Sequence, residues 1–246
     1  MRNIYDDLKS LRLPGMARAY KDLWERPGVQ NLNFNEKLCL LIDAEFESKN
    51  TNKIKSLLRG GKFSEPTADI ANIQYFEGRV LDREKINDLS TNEYIEHHYN
   101  VIIIGPTGSG KSYIANALGV NACIHRIEAR YVRLPDMLEE YAIAKTLGPA
   151  EARKVVKKFT KYEVLIIDEW LLYDKVKEEE TNFLLELVEG RMKHSTIYCS
   201  QRKPGAWREI LGSDTMAEAI MDRILGKSIK LEISSKESLR GKDFDK

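Results

Sequence analysis

Val101-Ile102-Ile103-Ile104-Gly105-Pro106-Thr107-Gly108-Ser109-Gly110-Lys111-Ser112 is the stretch that decides the fold. Its first four residues are apolar and β-branched, the pattern of a strand buried on both faces of a parallel sheet. From Gly105 onward it matches GxxxxGK[ST] in full, and the segment behind it reads as a helix over 111–126. Glycines at 105, 108 and 110 let the backbone curl tightly enough to aim N–H groups inward. The helix N-terminus adds to the same anion cradle. Such a loop takes the phosphates of a nucleoside triphosphate. Gly105, Pro106, Thr107, Gly108, Ser109, Gly110, Lys111, Ser112 and Tyr113 form the expected ATP-binding segment. Lys111 is expected on the β- and γ-phosphates, and Ser112 on Mg²⁺. A glycine-rich turn that binds nothing would not need this strand before it and helix after it.

A second apolar run, Val164-Leu165-Ile166-Ile167, ends in Asp168-Glu169. A carboxylate pair at the end of a buried strand is the Walker B pattern. Asp168 is expected to hold Mg²⁺ together with Ser112, and Glu169 to accept a proton from, or orient, the attacking water. Both motifs then sit at the carboxyl ends of parallel strands, where open α/β sheets bind ligands. A third run, Thr196 through Cys199, ends in Ser200-Gln201. A polar side chain there could sense the γ-phosphate, and Gln201 is the better candidate. Arg223 and Arg240 could also contact phosphate.

Around these runs the pattern alternates. Strands are expected over 131–133, 196–199 and 228–233, and helices over 135–145, 150–160, 181–192 and 215–225. This predicts a three-layer α/β domain around a parallel sheet. The front of the chain differs. Ile4, Leu8 and Leu11 recur at helical spacing; Leu13-Pro14-Gly15 interrupts; Met16, Ala19 and Leu23 form a second stripe. Phe34, Leu38, Leu41, Ile42 and Glu45 mark a third helix, capped by Asn33 or Asn35. Residues 52–59 form a fourth, stopped by Gly60-Gly61. Residues 60–72 read as a linker. The expected division is a helical domain over 1–65 and a nucleotide-binding domain over 66–246.

Composition bounds the rest. The chain has 246 residues, 42% hydrophobic and 31% charged, enough to build a core. No run reaches the ~20 apolar residues of a membrane helix. The first residues hold no apolar run suited to a signal peptide. The expectation is a cytoplasmic protein with no membrane contact. Cys39, Cys123 and Cys199 are far apart and each lies in an apolar stretch, so buried free thiols are expected. The net charge of +1, from 39 basic and 38 acidic residues, leaves nucleic-acid binding to local charge segregation. Two stretches qualify. One is Lys53, Lys55, Arg59 and Lys62. The other is Arg153, Lys154, Lys157, Lys158 and Lys161, in which the last four share a helical face. Either could meet backbone phosphates without reading bases, or be a solvated helix face.

Taken together these residues resemble the IstB-like transposition helper ATPases, a branch of the AAA+ class close to the DnaC-type helicase loaders. The resemblance runs through LRLPGMARAY (11–20), LCLLIDAEFESKNTNKIKSLLRGGKF (38–63), IIIGPTGSGKSYIANALGVNAC (102–123) and VLIIDEW (164–170). It continues through STIYCSQRKPGAW (195–207), TMAEAIMDRILGKSIKLEI (215–233) and KESLR (236–240). It implies a AAA+ core behind a helical N-terminal domain, and a homo-oligomer on double-stranded DNA with ATP held between subunits. It also implies Arg223 as the finger reaching a neighbour's γ-phosphate, Arg240 as a second sensor in cis, and a DDE-type transposase as partner in target capture. Two departures stand out. Family members usually carry Asp-Asp and then Trp-Gly where this chain has Asp168-Glu169-Trp170-Leu171, so the loop after Trp170 is expected to change. Gly60-Gly61 replaces positions that are often basic. Two other readings compete. A replicative helicase loader would prefer single strands, yet only Phe63, Phe159 and Tyr162 accompany the basic stretches as stacking aromatics. A small-molecule kinase would not need Arg223 and Arg240.

Overall fold

Residues 34–61 form a single helix where the sequence reading places two. The computed structural model describes residues 3–23, 29–212, 215–235 and 238–239. It divides into two units, Met1–Ser56 and Leu57–Lys246. The first unit contains α1 (Ile4–Ser10), α2 (Pro14–Leu23) and most of α3 (Phe34–Gly61). Residues 43–52 are mostly polar but contain no Gly or Pro, so nothing breaks α3 between its two expected halves. Asn33 caps it. The Asn33 side chain accepts from the Glu36 N–H at 3.0 Å, and Glu36 accepts from the Asn33 N–H at 2.7 Å. Pro14 opens α2 rather than interrupting a helix, since a first-turn proline loses no hydrogen bond. The buried residues of α2 are Gly15, Ala17 and Leu23, not the expected Met16 and Ala19. Gly15 sets this face, because a Cβ there would lie 2.4 Å from the Ala44 carbonyl oxygen on α3. The Met16 N–H donates to Glu45, and Arg18 to Ser48, across the same contact.

The second unit begins with the last turn of α3. Leu57 and Phe63 are buried in its core, so the structural division falls after Ser56, ahead of the expected 65/66. Next come β1 (Arg79–Val80), α4 (Arg83–Ser90), α5 (Glu93–Glu96), β2 (Asn100–Ile104), α6 (Lys111–Ile124) and β3 (Ala129–Arg133). Then follow α7 (Leu134–Thr146), α8 (Pro149–Thr160), β4 (Val164–Asp168), α9 (Glu178–Gly190) and β5 (Ser195–Ser200). The described chain closes with α10 (Pro204–Leu211), α11 (Thr215–Leu225), β6 (Ser228–Glu232) and β7 (Ser234–Ser235). Five strands form a parallel sheet in the order β3-β4-β5-β2-β6. β1 and β7 pair antiparallel in a separate two-stranded ribbon.

The sheet sorts its side chains by alternation. Val101, Ile103, Ile166, Ile197 and Cys199 face the layer that includes α4, α5 and α6. Ile102, Ile104, Leu165, Ile167 and Tyr198 face the layer of α7 to α11. Every residue of β4 and β5 is buried, as central strands covered on both faces must be. This is the α/β three-layer parallel-sheet architecture behind a helical N-terminal region. The short α4, α5 and α10 and the β1·β7 ribbon were not legible in the hydrophobic pattern. Cys39 is exposed, contrary to the expected burial, because its position on α3 faces away from α2; Cys123 and Cys199 are buried. Among the described residues no helix is long and apolar enough to cross a membrane.

Candidate nucleotide site

The P-loop joins β2 to α6, and its glycines do what the motif requires. Gly108 and Gly110 take φ of 76° and 88°, the left-handed region that favours glycine. The buried Lys111 ammonium donates to the Pro106 carbonyl at 2.8 Å, curling back over the loop. A cavity of about 710 Å³ opens in front of it. Its walls bring together Thr107, Gly108, Gly110, Lys111, Ser112 and Tyr113 from the loop, Asp168 and Glu169 from the end of β4, and Gln201 from the end of β5.

Asp168 is buried and held from two sides. Its Oδ1 accepts the Glu169 N–H at 2.8 Å and its Oδ2 accepts the Tyr131 hydroxyl at 2.9 Å. Burial pushes the Tyr131 phenol well above its ordinary range, the neighbouring Asp168 adds to the rise, and a hydrogen bond to Ser64 opposes it. Tyr131 therefore stays a protonated donor to the carboxylate. Glu169 has φ of 56° and pairs with Arg133 at 2.7 Å. That contact, followed by its Coulombic attraction, raises the Arg133 pKa. Gln201 accepts from the Thr107 hydroxyl at 2.8 Å, which ties β5 to the phosphate loop. Ser200, the alternative sensor, is buried, and its hydroxyl donates to the Trp170 carbonyl. Cys199 also lines the cavity. Burial first, and then Asp168, push its thiol far up, so it supplies no thiolate there.

The donor set suits a hard divalent cation. Ser112 offers a hydroxyl and Asp168 a carboxylate to the same cavity. Mg²⁺ at phosphate sites uses one or two protein oxygens and takes the remainder from phosphates and water.

Sequence reasoning missed Tyr131 and Arg133, the residues that orient Asp168 and Glu169. They alternate along β3, and Arg133 pairs in register with Asp168. Only the strand order shows that β3 lies beside β4. It also missed the far wall of the cavity, which includes Thr67 and Asn72 from the expected linker and Ile73, Gln74 and Arg79 from residues given no element.

Arg223 lies elsewhere. Its Nη2 pairs with Glu189 at 2.8 Å and its Nη1 donates to the Ala219 carbonyl. The Arg223 carbonyl accepts from Asn100, the first residue of β2, whereas the P-loop leaves from the last. The length of β2, roughly 13 Å at the usual rise, therefore separates this end of α11 from the cavity. Arg240 lies outside the described residues. Of the basic residues, Lys53, Lys55, Arg59 and Lys62 are all exposed. In the second stretch Lys154 pairs with Glu151 at 2.6 Å and Lys158 with Glu140 at 2.6 Å, while Arg153, Lys157 and Lys161 are exposed.

The parallel sheet, the P-loop and the acidic strand end define the three-layer fold of P-loop nucleotide-binding proteins. Solved structures share that fold. The DnaC helicase loader matches with a TM-score of 0.53 and 16% identity over 68% of this chain and 96% of that one. AMPPCP-bound DnaA from Aquifex aeolicus matches with a TM-score of 0.57 and 19% identity over 73% of this chain and 54% of the DnaA chain. The family is narrower. The model of the IstB-like ATP binding proteins matches residues 6–246, and this chain belongs to that family. A Sinorhizobium fredii (strain NBRC 101917 / NGR234) protein that carries the name of an insertion sequence ATP-binding protein is 35% identical over 95% of this chain and 92% of its own. A Pseudomonas fluorescens protein with the same kind of name is 35% identical over 79% of this chain and 83% of its own.

Proposed function

We propose that this chain binds Mg²⁺-ATP and hydrolyses it as a helper of transposition. The observation that carries the reading is the single cavity in which the P-loop Lys111 and Ser112 meet Asp168, Glu169 and Gln201. Lys111 and the loop N–H groups hold the β- and γ-phosphates. When bound, Mg²⁺ neutralises charge on those phosphates, with Ser112 and Asp168 as its protein ligands. Tyr131 keeps Asp168 oriented, and Glu169 accepts a proton from water aligned on the γ-phosphate. Gln201 reports the state of that phosphate to the loop through Thr107.

Hydrolysis in this reading needs a second copy. Arg223 lies at the far end of the sheet from its own cavity, so it serves a neighbour's γ-phosphate in a homo-oligomer, with Arg240 as a sensor in cis. Such fingers contribute about 10³ to 10⁵ in rate. The names of the sequence relatives favour an insertion sequence context. On that basis the partners are double-stranded DNA, gripped by phosphate contacts without base reading, and a DDE-type transposase. A DnaC-type helicase loader is the alternative, and pull-down with a transposase or a replicative helicase separates the two.

Equilibrium binding of ATP with and without Mg²⁺, followed by phosphate release, tests the site. Lys111→Ala is expected to lose most nucleotide affinity. Glu169→Gln is expected to bind Mg²⁺-ATP and to hydrolyse it at least about 10²-fold more slowly. Unchanged hydrolysis in Glu169→Gln would remove that residue from the chemistry.

A further inference from the structure

Arg79 opens β1 at the far wall of the nucleotide cavity, and the phosphate chemistry above makes no use of it. Its Nη2 donates to the Ser109 carbonyl of the P-loop at 2.8 Å, and its Nη1 donates to the Gln74 carbonyl. Its Nε is buried with no hydrogen-bond partner. Among the described residues no carboxylate pairs with it. Burial lowers its pKa, and the only attraction opposing this comes from the Tyr75 hydroxyl. A guanidinium carries five N–H donors, so two carbonyls leave most of them unused. Among the described residues, this cation, held partly out of water by neutral carbonyls, lacks the anion that normally accompanies one.

The topology says which anion. The P-loop follows β2, and the strand order puts β5 and β4 on one side of it and β6 on the other. Gln201, Asp168 and Glu169 belong to the first side. β6 leads into β7, whose Ser235 pairs with Arg79, so Arg79 belongs to the second side. Arg79 also presses on the loop: a Cβ at Gly110 would lie 2.8 Å from its Nη2. A triphosphate with its γ-phosphate toward Asp168 and Glu169 turns its α-phosphate and nucleoside toward Arg79.

We propose that Arg79 is a nucleotide-binding residue that contacts the α-phosphate, an inference that rests on the ATP site proposed above. The planar fork of arginine suits a phosphate, which it can grip with two parallel bonds. The α-phosphate is common to ATP and ADP, so Arg79 holds both to the same extent. Lys111 and Glu169, by contrast, act where the two nucleotides differ or are cut.

The test is equilibrium binding of fluorescent ADP and of a non-hydrolysable ATP analogue to the full chain, native, Arg79→Ala, Arg79→Lys and Lys111→Ala. The expected result for Arg79→Ala is an equal loss for both nucleotides, about tenfold or more, as for a hydrogen-bonded charge. Arg79→Lys keeps the charge without the fork and recovers part of the loss for both. Native affinity in Arg79→Ala would overturn the proposal, and so would a loss confined to the ATP analogue. If Arg79→Ala does not fold, Arg79→Lys decides: an equal several-fold loss for both nucleotides supports the contact, and native affinity for both overturns it. Failure of the ATP reading itself looks different, because the native chain would then bind neither nucleotide.

Discussion

Glu169 is held at 2.7 Å by Arg133, on the strand next to its own. In the proposed reaction Glu169 approaches a water on the γ-phosphate, so it has to leave this contact or swing with it. The pair is partly exposed, with side chains 46% and 32% accessible, so its strength falls in the range of surface ion pairs, about 0.2–1 kcal/mol. Arg133→Ala is therefore expected to raise the basal ATPase rate about two- to fivefold, read by phosphate release without DNA. A lower rate would mean that Arg133 helps to aim Glu169 rather than restrains it. The legibility of the site follows the same geography. The P-loop and the Asp168-Glu169 pair could be read because each is contiguous in sequence and needs its own strand and helix. Tyr131, Arg133 and Arg79 could not, since their roles come from strands brought together only by the fold. Gln201 could be chosen over Ser200 but not justified; the buried hydroxyl bond of Ser200 to Trp170 now supplies the reason for favouring it.

At the scale of elements, the turn that leaves β4 places a side chain where glycine is favoured. Leu171 takes φ of 50°, a conformation that disfavours side chains, yet it is fully buried. The Trp170 N–H donates to the Cys199 carbonyl at 2.8 Å, which pins the turn to β5. The left-handed residue costs about 1 kcal/mol, whereas emptying a buried leucine site costs about 2.7–5 kcal/mol. Leu171→Gly is thus expected to lower the melting temperature by roughly 5 °C. A rise would show that relief of the backbone outweighs the lost packing. In this chain the left-handed turn after Trp170 is held by the packing of Leu171.

The continuity of α3 is not legible in its hydrophobic pattern, because residues 43–52 are mostly polar; without Gly or Pro they stay helical, and Glu45 and Ser48 among them are buried. That helix carries the better DNA candidates. Lys53, Lys55 and Arg59 on it, and Lys62 just after it, are all exposed, whereas Lys158 of α8 is half-buried. Lys53→Glu with Lys55→Glu is expected to weaken duplex binding about tenfold or more at low salt and to flatten its salt dependence. Lys154→Glu with Lys158→Glu is expected to do less. The reverse ranking, measured by fluorescence anisotropy with a labelled duplex, would move the contact surface to α8.

For the molecule as a whole, the sheet places the two charged ends of the mechanism apart. Asp168, Glu169 and Gln201 gather at the carboxyl ends of the strands, and Arg223 sits by the start of β2, bonded to Glu189. If Arg223 acts on a γ-phosphate as proposed, one copy of the chain cannot bring both ends to it, so the account predicts a site completed by a neighbour. The strand alternation and both strand-end motifs made the three-layer core readable from the sequence. The division after Ser56 was harder to read, because one helix serves both units: the last turn of α3 gives Leu57 and Leu58 to the second core, and Phe63 follows just beyond the helix. The most direct measurement is the ATPase rate per subunit against protein concentration, with and without duplex DNA, for the native chain and for Arg223→Ala. The account predicts a rate that climbs with concentration and with DNA, and an Arg223→Ala protein that still binds ATP but loses that climb. A rate that is flat in concentration, indifferent to DNA and unchanged in Arg223→Ala would contradict it and leave a self-contained P-loop enzyme.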